Sequence, residues 1–204
     1  MKLVILGATG GIGRPLVSAA LEQGHQVTAF VRSPEKVTQK SSRLSIIGGD
    51  LYNVQQMTAA IRNHDAVLSA FGPSTLSKTN GRRDFGRVLV QALRAADVRR
   101  VIYVSAALLF TDAGFAVSLL SKTLFRNVVR DGINVEAELT QSDLAWTILR
   151  PPRLLNRKPT GRIRVETGCL PKGGFIISRA DVANFMLQEA TAPCYVQQVV
   201  GLSD

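Results

Sequence analysis

The chain has 204 residues, 46% of them hydrophobic, and a formal net charge of +10 at pH 7. This length and apolar content predict a single globular domain spanning residues 1–204, and no apolar run is long enough to cross a bilayer. The N-terminus lacks a cleavable signal pattern, so we expect a cytoplasmic protein without a membrane partner. Cys169 and Cys194 lie far apart without a nearby histidine, which indicates neither a metal site nor a disulfide framework.

The basic charge indicates an acidic partner, which could be a nucleic acid, a membrane surface or a phosphorylated small molecule. The basic residues are dispersed along the chain, and no block of like charges or aromatic-interleaved RNA motif accompanies them. This distribution favours a basic surface with a cofactor phosphate pocket over a nucleic-acid interface.

Apolar runs of strand length alternate with amphipathic stretches of helical length as far as about residue 150, which is typical of β-α-β units and a parallel sheet. Strands are predicted at about 2–6, 26–31, 44–48, 65–70, 99–105 and 144–149. Helices are predicted at about 12–23, 53–62, 82–96 and 117–141. After the second strand, Ser33-Pro34 begins only a short or vestigial helix.

The stretch LVILGATGGIGRPLV, residues 3–17, runs from a buried strand through a glycine-rich turn into a helix. Gly7 permits the turn, Gly10 admits a pyrophosphate close to the backbone, and Gly13 lets the helix pack on the strand. The alternative is a glycine-rich turn that binds no ligand. The flanking strand and helix favour a dinucleotide site, with contacts from Gly7, Thr9, Gly10, Gly11, Ile12 and Gly13.

The end of the second strand indicates which dinucleotide is bound. NAD sites place an acidic residue there to accept from the ribose 2′-OH, but this chain has FVRSPEK. Arg32 and Ser33 supply a cation and a hydroxyl donor, which suit the 2′-phosphate of NADP(H). Further contacts are expected at the adenine from Asp50 and Leu51, and near the pyrophosphate and ribose from Ala70, Phe71 and Gly72.

The pattern changes between Pro151 and Ile177, where two prolines precede TGRIRVETG, a Gly-Gly turn and FIIS. We expect residues 151–177 to form a small C-terminal elaboration that contacts the substrate, because it follows the carboxyl end of a strand. Ser178 and Asp181 then predict a capping box for a last helix at about 179–190.

The motifs GATGGIG, VRSPEK, GGDL, YVSA, LAWTILRPP and ISRADVANFML together resemble an atypical short-chain dehydrogenase/reductase. The most similar branch is the NAD(P)H-binding, NmrA-like group that includes the flavin/biliverdin reductases, and the likeness covers nearly the whole chain. This resemblance implies an α/β Rossmann fold, with a doubly wound parallel sheet, helices on both faces and a site for NADP(H).

The chain departs from the classical members of that family at the catalytic positions. They use a Tyr-x-x-x-Lys pair, but here Ser118 stands at the tyrosine position, while Lys122 falls where the lysine could be. Tyr103 lies in an apolar run of strand length and is predicted to be a core residue. The resemblance assigns Ser105, after the fifth strand, to catalysis and cofactor contact. The predicted catalytic residues are therefore Ser105 and Lys122, with Pro151 as a further cofactor contact.

Substrate contacts are expected from two regions. Arg153 stands where the flavin/biliverdin reductases have a histidine, and His25 and His64 are predicted to be surface residues that cannot replace it. Arg150 and Arg153 would bring positive charge to the substrate side. The apolar stretch 105–120, with Leu108 and Phe110, could form one wall of a slot, or else a helix packing face or subunit interface.

These observations predict an NADPH-dependent oxidoreductase that transfers hydride to a small, flat acceptor such as a flavin, quinone or tetrapyrrole. The second hypothesis is an NADP(H)-sensing regulatory protein of the NmrA type that binds cofactor without turnover. A basic nucleic-acid binder is a distant third. The sequence leaves the choice between monomer and homodimer open.

Overall fold

The computed structural model describes residues 1–71, 82–110 and 126–204, without the side chains at 82–84, 108 and 126–131. Its strands are β1 Lys2–Leu6, β2 Gln26–Val31, β3 Leu44–Gly48, β4 Ala66–Ser69, β5 Arg100–Val104, β6 Ala145–Arg150, β7 Arg153–Leu155, β8 Arg164–Thr167, β9 Ile176–Ser178 and β10 Gln198–Ser203. Eight of them form one sheet in the order β3-β2-β1-β4-β5-β6-β10-β8, and only β8 is antiparallel to its neighbour. The order 3-2-1-4-5-6 is that of the doubly wound Rossmann fold, so the predicted fold class is confirmed.

Helices cover both faces of this sheet. In the described ranges they are α1 Gly13–Glu22, α2 Val54–Ile61, α3 Arg82–Ala95, α4 Arg126–Thr140 and α5 Arg179–Thr191. Leu3 and Ile5 pack with α1 and α5, whereas Val4 and Leu6 pack with α2, α3 and α4. Successive side chains of a strand point to opposite faces, so the apolar residues 3–6 of β1 supply core to both layers.

Most predicted elements lie within a residue or two of the observed ones. The expected vestigial helix is one 3₁₀ turn at Pro34–Lys36. The helix predicted at about 117–141 is observed from Arg126 to Thr140, and its predicted first part lies outside the described residues. Strand β10 was not predicted, although it joins β6 to β8 in the sheet. Across the described ranges, no helix is both long enough and apolar enough to cross a membrane.

The last helix begins with the cap that the sequence predicts. The Asp181 N–H donates to Ser178 Oγ (2.9 Å), and Ser178 Oγ donates to the Asp181 carboxylate (2.8 Å). The same carboxylate accepts from the N–H groups of Thr160 and Gly161, at 2.9–3.0 Å. Burial opposes ionisation of Asp181, but these hydrogen bonds outweigh it and hold the pKa below its ordinary value. The cap therefore also fastens the 160–161 turn to α5.

Candidate functional site

The predicted cofactor residues gather at the carboxyl edge of the sheet. Gly7 follows β1, Arg32 follows β2, Ala70 follows β4, and Ser105 follows β5. Hydrogen bonds join these strand ends: the Ala70 N–H donates to the Leu6 carbonyl (2.9 Å), and the Ser105 N–H donates to the Leu149 carbonyl (2.7 Å). Strand order reverses between β1 and β4, and open α/β sheets bind ligands at such a point.

The glycines of the loop are of two kinds. Gly7 and Gly13 pack against neighbouring backbone, whereas Gly10 is exposed. Gly7 has a φ of +80°, and a Cβ there would lie 2.8 Å from the Ala70 carbonyl. A Cβ on Gly13 would lie 2.0 Å from the Gly7 oxygen, so helix α1 starts in direct contact with the turn. Gly10 is exposed, and its Cβ would approach only the Gly7 oxygen, at 3.1 Å. The surface above Gly10 is therefore a bare-backbone cradle, which fits a pyrophosphate.

The N-terminus of α1 is electrostatically suited to an anion. Among the described residues no side chain caps this end: Ile12 at the N-cap makes no side-chain hydrogen bond, and the first turn holds no acidic residue. The carbonyl of Thr9 accepts from Arg14 Nε (3.1 Å), which adds a cation beside the loop. The Arg14 N–H donates to the Gly10 carbonyl (3.0 Å) and Pro15 has no N–H, so the first turn attracts an anion mainly through the positive end of the helix dipole and its lack of an acidic residue.

The residues after β2 and β3 differ in whether their side chains are exposed and free to contact a ligand. Arg32 is exposed, and neither it nor Ser33 makes a side-chain hydrogen bond to the part of the chain that the structure describes. Asp50 is exposed and accepts from the Tyr52 N–H (3.0 Å). Leu51 is only 3% exposed and packs in the core, so only its main chain can face an adenine.

The residues after β4 and β5 include one buried polar atom. Ser105 Oγ is inaccessible to solvent and has no hydrogen-bond partner among the described residues. Phe71 packs its ring against Phe85, with centroids 4.9 Å apart, and Tyr103 is 6% exposed in the core, as predicted. Gly72, Ser118, Lys122 and the side chain of Leu108 lie outside the described residues.

Two predictions for the substrate side need correction. Arg150 donates to both carboxylate oxygens of the buried Glu136 and to the Leu109 carbonyl, so its charge is already balanced. Phe110 is 6% exposed, and the Arg150 guanidinium lies 4.7 Å from its ring centroid. The structure therefore assigns Arg150 and Phe110 to the support of the loop after β5 and not to an open acceptor wall.

Arg153 is available for a ligand. It lies exposed on β7, and its side chain makes no hydrogen bond or ion pair within the described ranges. Its N–H donates to the carbonyl of Phe175 (3.2 Å), whose side chain is 77% exposed. Phe175 is not among the predicted site residues, although an aromatic residue directly after a Gly-Gly turn can indicate an exposed ring.

A family model described as NAD(P)H-binding matches residues 7–193 of this chain. The chain belongs to this NAD(P)H-binding family. It is 30% identical to the uncharacterized protein YwnB of Bacillus subtilis (strain 168), over 95% of this chain and 93% of YwnB. It is 29% identical to the 3-diazoavenalumate denitrifying reductase of a Streptomyces species, over 74% of this chain and 55% of the reductase.

Solved structures agree with this assignment. A candidate NADH-flavin reductase from Streptococcus pneumoniae TIGR4 superimposes with a TM-score of 0.81 at 25% identity, covering 100% of this chain and 99% of that protein. The chain thus combines a Rossmann fold with membership of the NAD(P)H-binding family. The narrower likeness to the NmrA-like and flavin/biliverdin reductases belongs to the proposal below.

In an NAD(P)H-binding chain, positive charge beside the glycine loop matters because the dinucleotide carries a pyrophosphate. Arg179, the first residue of α5, supplies such a charge, because its side chain covers Gly11; the sequence does not predict this role. Its Nη1 donates to the Leu154 carbonyl (3.1 Å) and to Asn156 Oδ1 (2.8 Å). The motif around Arg179 predicted a helix start, and only the folded chain brings it to the loop.

The two histidines lie at the opposite, amino edge of the sheet. His64 precedes β4, and its Nε2 is hydrogen-bonded to Thr28 Oγ1 (2.8 Å). His25 precedes β2, and its Nδ1 is 3.2 Å from the N-terminal amine of Met1. Burial, together with that ammonium charge, lowers the pKa of His25. Both rings are half-buried rather than plain surface groups, and neither contributes to the carboxyl edge.

Proposed function

We propose that this chain is an NADPH-dependent oxidoreductase that reduces a flat acceptor such as a flavin, quinone or tetrapyrrole. The observation that carries the proposal is the arrangement at the carboxyl edge. An open cradle above Gly10 lies between strand ends that present the exposed Arg32 and the buried hydroxyl of Ser105. The reductases among the relatives support the reaction class, and the likeness to flavin/biliverdin reductases supports the acceptor.

Each part of the cofactor has candidate residues. Residues 7–13 would hold the pyrophosphate, Arg32 and Ser33 would bind a 2′-phosphate, and Asp50 would lie beside the adenine. Ser105 and Pro151 would contact the nicotinamide end. When bound, NADPH supplies a hydride. The chain need only position the two flat groups and admit water as the proton source, so Ser105 acts by hydrogen bonding and Lys122 as a ribose or water contact.

The acceptor side would come from residues 151–177, with 1–204 acting as one domain. Arg153 offers an exposed cation, and Phe175, which directly precedes β9 and accepts from the Arg153 N–H, offers an exposed ring. Arginine stays protonated at physiological pH, so it binds carboxylate or phosphate and does not donate a proton. This pair suits a flat acceptor with an anionic tail. The cytoplasmic location and the choice between monomer and homodimer stay predictions.

Cofactor preference tests the first half of the proposal. Calorimetric titration should give a lower Kd for NADPH than for NADH, because charge-assisted hydrogen bonds to the 2′-phosphate each contribute about 1.5–3 kcal/mol. Arg32→Glu should reverse the order. Arg62→Glu makes the same charge change at the end of α2, near the amino edge, and should leave both constants unchanged. Equal affinities in the unmodified protein would remove the argument for NADPH.

Turnover tests the second half. NADPH oxidation should be saturable with at least one acceptor among FMN, riboflavin, a quinone and biliverdin, and Ser105→Ala and Lys122→Ala should each lower it more than about twofold. Tight NADPH binding with no oxidation by any of the four acceptors would instead support the NADP(H)-sensing regulator.

A further inference from the structure

The Arg179 side chain spans the gap between the glycine-rich loop and the segment after β7. A Cβ built on Gly11 would lie 2.6 Å from Arg179 Nε and 2.8 Å from its Cδ, so the guanidinium stem rests on the loop backbone. On its other side, Nη1 is fastened to the Leu154 carbonyl and to Asn156 Oδ1. Two acceptors on one nitrogen fix the orientation of the planar group.

The edge of the guanidinium that carries Nε and Nη2 remains available. These two atoms donate to no residue that the structure describes, and Arg179 forms no ion pair with the described residues. Their N–H bonds run parallel, which is the geometry that grips carboxylate or phosphate with two hydrogen bonds. A half-buried cation that has no counter-ion among the described residues and lies on a bare glycine backbone is suited to an anionic ligand.

We propose that Arg179 binds the pyrophosphate of the dinucleotide through Nε and Nη2 and holds it against the Gly10-Gly11 backbone. The inference rests on the proposed cofactor site, and it adds a residue from the far end of the chain to the N-terminal loop. Because the same guanidinium holds Leu154 and Asn156, the bound pyrophosphate also steadies the segment that carries Arg153.

The test measures binding without any acceptor present. Calorimetry compares NADPH, NADH and ADP-ribose, which contain the pyrophosphate, with 2′-AMP, which lacks it. Arg179→Gln keeps a polar side chain of similar reach but removes the charged fork, and it should raise the Kd of the three pyrophosphate ligands by at least about tenfold. The Kd of 2′-AMP should stay within about twofold. Arg62→Gln is the matched control and should change none of the four constants.

The outcomes separate this inference from the proposed function. If Arg179→Gln leaves all four constants unchanged, or weakens only NADPH and 2′-AMP, Arg179 does not bind the pyrophosphate. If that variant fails to fold, Arg179→Lys decides: it keeps the charge without the fork and should weaken the pyrophosphate ligands several-fold, and unchanged constants overturn the inference. If the unmodified protein binds none of the four ligands, the proposed function fails together with this one.

Discussion

The charged residues at the two edges of the sheet differ in whether they are paired with other residues. At the amino edge, the Asp65 carboxylate accepts from the Lys2 N–H (2.7 Å), and Arg100 pairs with Glu189 (3.1 Å) with both side chains buried. At the carboxyl edge, Arg32 and Arg153 make no side-chain hydrogen bond to the part of the chain described. Arg100 and Glu189 at the amino edge therefore stabilise the fold, whereas Arg32 and Arg153 at the carboxyl edge, unlike Arg150 with its partner Glu136, are exposed and available to a ligand.

Neutral polar atoms follow this contrast less strictly. Ser105 Oγ at the carboxyl edge and His25 Nε2 at the amino edge are both buried without a partner among the described residues. Leaving a buried polar group unsatisfied costs about 1–3 kcal/mol, so the position of such a group needs a reason. Ser105 has one in the proposed nicotinamide contact, whereas nothing in the structure explains His25 Nε2. The contrast between the two edges therefore applies to their charged side chains and not to their neutral polar atoms.

The largest effect is expected at the open glycine of the carboxyl edge. Gly10→Val should abolish binding of both NADPH and NADH, because its branched side chain would fill the pyrophosphate cradle. The fold should survive, since a Cβ at this position meets only the Gly7 oxygen. Calorimetry measures the binding, and an unchanged thermal midpoint shows that the variant is folded. Normal binding by this variant would mean that the loop is only a turn.

The opposite result is expected at the amino edge. Glu189 also accepts from the N–H groups of Cys194 and Tyr195, so Glu189→Ala leaves a buried cation and two amides unpaired. Breaking a buried ion pair in this way costs about 3–5 kcal/mol of unfolding free energy. Urea unfolding measures that loss, while the Kd for NADPH in the folded protein should be unchanged.

An exposed ion pair supplies the control for this variant. Asp143 pairs with Arg94 at 2.9 Å, and both side chains are solvent-accessible, so Asp143→Ala should change stability far less. Equal losses of stability in the two variants, or a large loss of NADPH affinity in Glu189→Ala, would break the distinction between the edges.

The cap of α5 gives a smaller effect that depends on pH. The folded-state pKa of Asp181 is depressed, so its contribution to stability is fully present above the ordinary value of 3.8 and is lost as pH falls through the folded value. Asp181→Asn should therefore flatten the acid limb of stability against pH. At neutral pH it should cost about 1–3 kcal/mol, because hydrogen bonds to Thr160 and Gly161 weaken. Urea titrations from pH 7 downward measure both effects, and parallel curves for the two proteins would contradict the assignment.

The sequence predicted those parts of the fold that have local causes. Strand β1 is a continuous apolar run after Lys2, and Ser178 marks the start of α5 by a short-range cap, so the sequence predicts both. Strand β10 was missed because its place depends on distant contacts. A Cβ on Gly201 would lie 2.1 Å from the Cys169 carbonyl, so the glycine that interrupts the apolar run is required by tertiary packing.

The residues of the candidate site also fall into those that local sequence predicts and those that depend on distant contacts. Glycine spacing and the missing acid after β2 are local, and they led to the loop and to Arg32. The ion pair of Arg150 with Glu136 joins β6 to α4, and neither segment of sequence by itself predicts it. Arg179 reaches Gly11 only because α1 and α5 lie on one face of the sheet. Charged residues near a site can be listed from sequence, but the folded structure decides which are already neutralised.

The smallest expected effect is at Arg153, where the carboxyl edge meets the acceptor. An exposed guanidinium that binds the FMN phosphate would contribute about 0.5–1.5 kcal/mol, which is about two- to tenfold in affinity. Arg153→Ala should raise the KM for FMN by that factor with little change in kcat, which is the pattern of lost uniform binding. Riboflavin has no phosphate, so its KM should not change. Initial rates of NADPH oxidation with the two flavins measure the difference.

The pH profile sharpens this last prediction. His25 and His64 lie at the edge opposite Arg153, so no histidine acts at the acceptor and turnover should show no limb near about pH 6.5. An acid limb there that disappears in His64→Gln or His25→Gln would place catalysis at the amino edge and reverse the comparison. A KM for riboflavin that rises as much as that for FMN would mean that Arg153 does not bind the phosphate, because the loss would not depend on the only group that separates the two flavins.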